Sequence, residues 1–446
     1  MAPPLKLNNI KLLFVFSLLC FYSPTDAVHL FPKKSHPTKS GYLPINSTTS
    51  SAIFFVFYEA QKPVFRLSQT PLLVWLQGGP GCSSQLGNFF ELGPWRLNSK
   101  QNCSKNPTLE PNPGAWNRKF GLLFLDNPIG TGFSIASSPA EIPKNQYTVA
   151  KHLISALTSF ISSDPLFKSR PLYITGESYA GKYVPAVGYY ILQQSSELNF
   201  KGVAIGNGLT HPVSQVATHA ATAYYSGLIN EKQKTQLEEI QAQAVKLTQE
   251  AKWKEATDAR DRVLGWLRNA TGLATLSDLR RKTPYETEIV GEFLNKDQVK
   301  KVLGVDKSMV WVDCSEAVAD VLHEDVMKSV KFMVEELVKK SKVLLYQGQF
   351  DLRDGVVTTE AWVKEMNWEG LESFLMAERN VWKVNGELAG YVQKWGSLSE
   401  VVVSGAGHLV PADQAVSSQE MIEDWVLDRG LFQDEKKSNS SSNFRG

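Results

Sequence analysis

Cysteine is scarce in this chain. There are four in 446 residues, Cys20, Cys82, Cys103 and Cys314. That is too few for a fold stapled by disulfides, so stability must come from an apolar core, and a chain of this length can bury a large one. A dominant charge is also missing. Lys and Arg number 47 against 45 Asp and Glu, a net charge of +2. No broad basic field exists, which excludes nucleic acid as the expected partner. Past the N-terminus, long hydrophobic runs are absent, and no later segment is expected to cross a bilayer. The glycine-rich stretch WLQGGPGCSS has no Lys-Ser/Thr after its glycines, which argues against a phosphate-cradling loop.

The first residues have a separate purpose. Lys6 and Lys11 precede an apolar run over 12–22, and Thr25-Asp26-Ala27 offers a small residue before a cut after Ala27. The run is short for a membrane anchor, so residues 1–27 read as a cleaved signal peptide. Entry into the secretory pathway follows, with the mature protein secreted (extracellular) or vacuolar and no longer membrane-bound. Asn46, Asn102, Asn269 and Asn439 each open an Asn-x-Ser/Thr glycosylation triplet. Cys20 leaves with the signal. The odd remainder of Cys82, Cys103 and Cys314 allows at most one intrachain disulfide, and spacing does not choose the pair.

Continuous apolar runs at 72–76, 122–125, 172–174, 203–205, 343–346 and 401–403 suit strands buried on both faces. Helix-like segments such as 148–161 and 183–194 fall between them. This alternation predicts an α/β fold with a mostly parallel central sheet. Residues 214–300 differ, being rich in Gln, Glu, Lys and Ala with little β-branching. They read as a helical insertion, which either covers one edge of an active site or is a plain exposed excursion. The expected organisation is signal peptide 1–27, core 28–213, insertion or cap 214–300, core 301–431 and a disordered polar tail 432–446.

Gly176-Glu177-Ser178-Tyr179-Ala180-Gly181 follows an apolar strand and precedes a helix-forming stretch. This is close to the elbow Gly-x-Ser-x-Gly that exposes a nucleophilic serine above a sheet, with Ala180 in the fifth position and Gly181 one step later. A serine hydroxyl needs a histidine to take its proton and a carboxylate to orient that histidine, in the chain order Ser, acid, His. Of the histidines after Ser178 (His211, His219, His323 and His408), only His408 sits in a glycine-flexed loop just past a strong strand, VVVSGAGHLVP. YQGQFDLRDG supplies Asp351 and Asp354, and Asp351 is nearer the strand end. Donors for an oxyanion would be the Tyr179 N–H and the loop bearing Gly78, Gly79 and Gly81.

Together, WLQGGPGCSS, FFELGPWR, LLFLDNPIGTGFS, ITGESYAGKYVP, AIGNGLT, YQGQFD and GAGHLVP resemble the serine carboxypeptidase family, in particular its plant serine carboxypeptidase-like branch, over about 41–431. The resemblance implies an α/β-hydrolase fold with helices on both faces of the sheet and a helical insertion. It implies removal of C-terminal amino acids from peptides, without metal or organic cofactor, with Ser178 as nucleophile, Asp351 as orienting acid and His408 as base. Gly79 and Tyr179 match the oxyanion donors. Gln77, Gly78, Glu91 and Glu177 match the residues that grip the substrate's free C-terminal carboxylate. Cys82 is expected to pair with Cys314, which leaves Cys103 unassigned. The chain departs from the family at Gln77 (usually Asn), Leu409 (Met), Ala415 (Pro) and Ile135 (aromatic), departures that touch specificity more than catalysis. Two glutamates can meet a carboxylate only if protons are shared, so peptide hydrolysis is expected to favour acid pH. The alternatives are a carboxypeptidase-like acyltransferase using sugar-ester donors, in whose branch an Asp typically precedes the serine, and an inactive binding protein on the same fold.

Overall fold

A computed structural model describes residues 30–45, 48–98, 107–194 and 197–433. The signal segment, Cys20, Cys103, Asn46, Asn102 and Asn439 lie outside the described residues.

The strands are β1 (Lys39–Pro44), β2 (Ala52–Tyr58), β3 (Leu72–Leu76), β4 (Trp95–Asn98), β5 (Thr108–Pro111), β6 (Gly121–Leu125), β7 (Leu172–Glu177), β8 (Phe200–Gly206), β9 (Lys342–Gly348), β10 (Arg379–Val384), β11 (Glu387–Trp395) and β12 (Leu398–Val403). All but β4 and β5 form one sheet in the order β1-β2-β6-β3-β7-β8-β9-β12-β11-β10. From β6 to β12 the neighbours are parallel; β1, β2, β11 and β10 add antiparallel margins. Every residue of β3, β6, β7 and β12 is buried, as the unbroken apolar runs of β3 and β6 and the shorter apolar runs within β7 and β12 imply.

The pleat sends alternate side chains to opposite faces. Leu72, Val74 and Leu76 join one core with Val149, Leu153, Leu157 and Phe160 of helix α1 (Gln146–Ser162) and Val184 and Val187 of helix α2 (Ala180–Gln193). Spacings of about one helical turn put the α1 residues on one stripe, and the Asn145 side chain accepts from the Thr148 N–H to cap its start. Leu73 and Trp75 face the other core, filled by Met421, Ile422 and Trp425 of the helix Ala415–Val426. Helices therefore cover both faces, as expected.

Between β8 and β9 the chain leaves the sheet. Glu231–Gln249, opened by a reciprocal Asn230–Gln233 capping box, packs against Trp253–Thr271, which ends at Gly272 with φ 64°. Their apolar stripes share a small separate core of Leu237, Ala244, Ala259, Val263 and Leu267. Asn269 is exposed in the last turn.

One boundary needs correction. The polar tail was expected from 432, but Phe432 is 1% exposed and packed into the second core. Its ring is the last large apolar side chain before the charged run, so burial extends the ordered chain past the expected limit. In the sheet centre, Leu345→Ala should cost about 2–5 kcal/mol through the cavity it leaves, read from chemical denaturation; a loss below about 1 kcal/mol would show that β9 is not central to the core.

Candidate active site

Parallel pairing aligns the C-terminal ends of the strands that carry the candidate residues. Leu76 lies opposite Gly176, Glu177 opposite Gly206, and Val403 opposite Gly348. Ser178, Asp351 and His408 each follow one of these ends within a few residues.

Ser178 occupies the sharp turn from β7 into α2 with φ 62°, a left-handed conformation that is unfavourable for a side chain. The surroundings over-determine it. Its N–H donates to Gly206 O at 3.0 Å, and its carbonyl accepts from the N–H groups of Gly181 and Leu209, both at 2.9 Å. A Cβ at Gly176 would sit 2.4 Å from Leu76 O, and one at Gly181 would sit 2.6 Å from Leu209 N. Both glycines of the elbow are thus required by close backbone approach, and Ala180 is small enough for the place between them. Beneath the turn, the Tyr179 hydroxyl donates to Asp325 Oδ2 at 2.7 Å, Gln146 Nε2 donates to the same atom, and Lys182, fully buried, donates to the Asp325 carbonyl. Sequence reasoning missed this support; its one signal was a lysine among the apolar residues of AGKYVPAVGYY.

His408 is 5% exposed, and its Nδ1 lies 2.7 Å from Asp351 Oδ2. Asp351 also accepts from Asn207 Nδ2 at 2.8 Å and from the N–H groups of Arg353 and Asp354. Burial pulls the His408 pKa down, but the charge of Asp351 and the hydrogen bond to it outweigh burial and hold it above the ordinary histidine value. The His408 N–H donates to Ser277 O at 2.6 Å, and a Cβ at Gly407 would collide with that carbonyl at 2.5 Å. Asp354 instead stands beside Arg260 of the insertion. Asn207 was not foreseen as a partner of Asp351. The Ser178 hydroxyl makes no hydrogen bond to His408 among the described residues; such bonds commonly tighten only in the substrate complex.

The loop after β3 reaches over the serine. A Cβ at Gly78 would stand 2.6 Å from Tyr179 N and 2.7 Å from the Ser178 Cβ, so only glycine fits. Gly79 follows at φ 110°. Tyr179 precedes the first turn of α2, where backbone N–H groups have no intrahelical acceptor. The Cys82–Cys314 disulfide pins this loop to a segment 232 residues away, and the Ser83 N–H to Asp313 O and Ser315 N–H to Gly81 O bonds flank it.

Beside Ser178, Glu91 and Glu177 are each 1% exposed. Glu91 comes from a π-helical turn, Gly87–Leu92. Gln77 Nε2 donates to Glu177 Oε1 at 2.7 Å and to Glu91 Oε1 at 3.1 Å, while its Oε1 accepts from Trp75 Nε1 at 2.8 Å. The amide that replaces the usual Asn thus spans both carboxyls. Burial pushes the Glu91 pKa up to about 7, against the hydrogen bonds from Gln77 and Glu177 and the charge of Arg96. Glu177 goes well above its ordinary value through burial and the proximity of Glu91. Both carboxyls are thus biased toward their protonated forms, and Glu91 Oε2 and Glu177 Oε2 are buried without a hydrogen-bond partner, a state suited to receiving another carboxylate.

The serine carboxypeptidase family model matches residues 30–428. Serine carboxypeptidase-like 50 of Arabidopsis thaliana is 58% identical over 93% of both chains. Probable serine carboxypeptidase CPVL of Dictyostelium discoideum is 35% identical over 87% of this chain and 78% of that protein. Among solved structures, Kex1, a prohormone-processing carboxypeptidase from Saccharomyces cerevisiae, aligns with TM-score 0.78 and 24% identity over 89% of this chain and 92% of that one. The chain belongs to the serine carboxypeptidase family, and its fold is that of the α/β-hydrolases.

Raised carboxyl pKa values make stability depend on pH. The contribution of Glu91 is fully present below its unfolded value of 4.5 and lost as pH rises through about 7. The wild-type unfolding midpoint should therefore fall across that window, and Glu91→Gln should flatten the slope. An unchanged slope in this variant would show that Glu91 does not hold the extra proton.

Proposed function

We propose that this protein is a serine carboxypeptidase of the secretory pathway, releasing amino acids from peptides with a free C-terminus. The observation that carries the reading is the buried carboxyl pair Glu91 and Glu177, both held by one Gln77 amide and each with an unpartnered Oε2, with Glu177 adjacent to Ser178 in the chain. A buried carboxyl pair is costly unless it serves a ligand, and a peptide's terminal carboxylate is the group it suits.

In this reading the terminal carboxylate docks on Gln77, Gly78, Glu91 and Glu177, placing the last peptide bond over Ser178. His408 takes the hydroxyl proton as Oγ attacks the carbonyl, and Asp351 stabilises the imidazolium that results. The oxyanion accepts hydrogen bonds from the N–H groups of Gly79 and Tyr179. His408 then protonates the departing amine. Water, deprotonated by the same imidazole, frees the acyl group from Ser178. Glu177 supports this reading over acyl transfer, whose branch typically carries Asp at that place. The signal segment, the disulfide and the exposed Asn269 support the compartment.

Blocked dipeptides and matching esters assayed across acid to neutral pH test the proposal. Both substrates should lose activity together at low pH as His408 is protonated. Peptide kcat/KM should fall again as pH rises through about 7, where Glu91 deprotonates, while the ester, lacking a carboxylate, persists. Ser178→Ala should abolish both activities and labelling by a serine-directed phosphonate. Peptide hydrolysis that keeps rising above neutrality would defeat the assignment.

A further inference from the structure

A cavity of about 170 Å³ lies against Ser178. Gly79, Ser178 and Tyr179 form one wall, and Gln77, Glu91 and Glu177 are not part of it. With the terminal carboxylate on those residues and the scissile bond over Ser178, this cavity offers space for the side chain preceding the scissile bond. Arg260, from the insertion helix Trp253–Thr271, and Arg353 and Asp354, from the loop after β9, line it.

The charge pattern is unusual for a buried pocket. Arg260 is 4% exposed, and its single carboxylate partner within 4 Å among the described residues, Asp354 Oδ1, stands 3.6 Å away, too far for a good hydrogen bond. Arg353 Nε is 3.6 Å from Asp354 Oδ2 and is buried without a hydrogen-bond partner, as is Asp354 Oδ1. Two guanidiniums thus share one carboxylate at long range. Asp261 lies at the exposed mouth, where solvent screens it, and His323 is engaged by Asp258 at 3.1 Å. Buried guanidinium donors left without acceptors are expensive, and a planar carboxylate supplies the matching acceptors.

We propose that this cavity is the acyl-side specificity pocket and that Arg260 and Arg353 select an acidic side chain, such as glutamate, immediately before the scissile bond. The inference rests on the carboxypeptidase reading and names its substrate class. Glutamate is ionised above its usual pKa of roughly 4.3, while Glu91 keeps its proton up to about 7. Both requirements are met between those limits.

The test is a set of N-blocked dipeptides X-Leu with X as Glu, Leu or Lys, together with the p-nitrophenyl esters of the same three blocked acids, assayed at an intermediate pH of about 6. Wild type should favour Glu over Leu and Leu over Lys, with kcat/KM for Glu about tenfold or more above Lys, the scale of a charge-assisted hydrogen bond. Arg260→Met should erase the Glu preference while retaining turnover of the Leu substrates. Should that variant fail to fold, Arg353→Gln, whose side chain is 37% exposed, should reduce the same ratio. Equal or better use of Leu or Lys by wild type, or a Glu preference that survives in both variants, overturns the pocket assignment. Ester cleavage with the Glu preference but no peptide cleavage defeats the peptidase reading and sustains the pocket. No cleavage of either defeats both.

Discussion

Parallel strand pairing is the constraint from which the site follows. Because β3, β7, β8, β9 and β12 run the same way, their C-terminal ends meet along one edge. Residues separated by 100 and 144 positions, Gln77 with Glu177 and Asn207 with Asp351, then lie within hydrogen-bond distance. The loop bearing Gly78 and Gly79 leaves β3, Ser178 leaves β7, Asn207 leaves β8, Asp351 leaves β9 and His408 leaves β12. Reversing any one of these strands would carry its residue to the opposite side of the molecule. The antiparallel margins, by contrast, contribute packing and none of the groups proposed to act on substrate.

Strain and desolvation are concentrated at that edge, and the packed sheet beneath bears them. Ser178 is held in a left-handed conformation by backbone bonds to Gly206, Gly181 and Leu209. Its neighbour Tyr179 is tied through Asp325 to the buried Lys182. Glu91 and Glu177 sit in the same low-dielectric environment, where burial raises both carboxyl pKa values and favours their protonated forms. The insertion adds a positive charge to the cavity that Ser178 also lines, through Arg260. Carboxyls with raised pKa values at Gln77 and guanidiniums lining the cavity against Ser178 give the site two regions with different chemical preferences.

Much of this was legible in the amino-acid sequence, and the reasons differ by residue. The parallel strands announced themselves because burial on both faces demands unbroken apolar runs such as LLVWL and GLLFL. The elbow was legible because its glycines are forced by backbone contact. β2 carries an equally apolar run, AIFFVFY, but nothing in those residues states that it runs antiparallel to β6. The strands β10 and β11 are partly exposed and lack a continuous apolar signature. Asn207, Asp325 and Arg260 could not be assigned because their partners lie far along the chain, and a polar residue in a loop or helix looks the same whether it faces water or a buried carboxylate. The Cys82–Cys314 pairing came only from family resemblance, since spacing among three cysteines does not select a pair.

The central claim is that Ser178, Asp351 and His408 act as one catalytic unit, and the most direct measurement is the energetic coupling among them. Steady-state kcat for an ester substrate would be compared across Ser178→Ala, His408→Ala, Asp351→Ala and the triple variant. Residues acting as a unit are not additive: Ser178→Ala and His408→Ala should each lose on the order of 10⁴-fold or more, with the triple variant no worse than either. Additive losses, or a His408→Ala variant within about tenfold of wild type, would contradict the account.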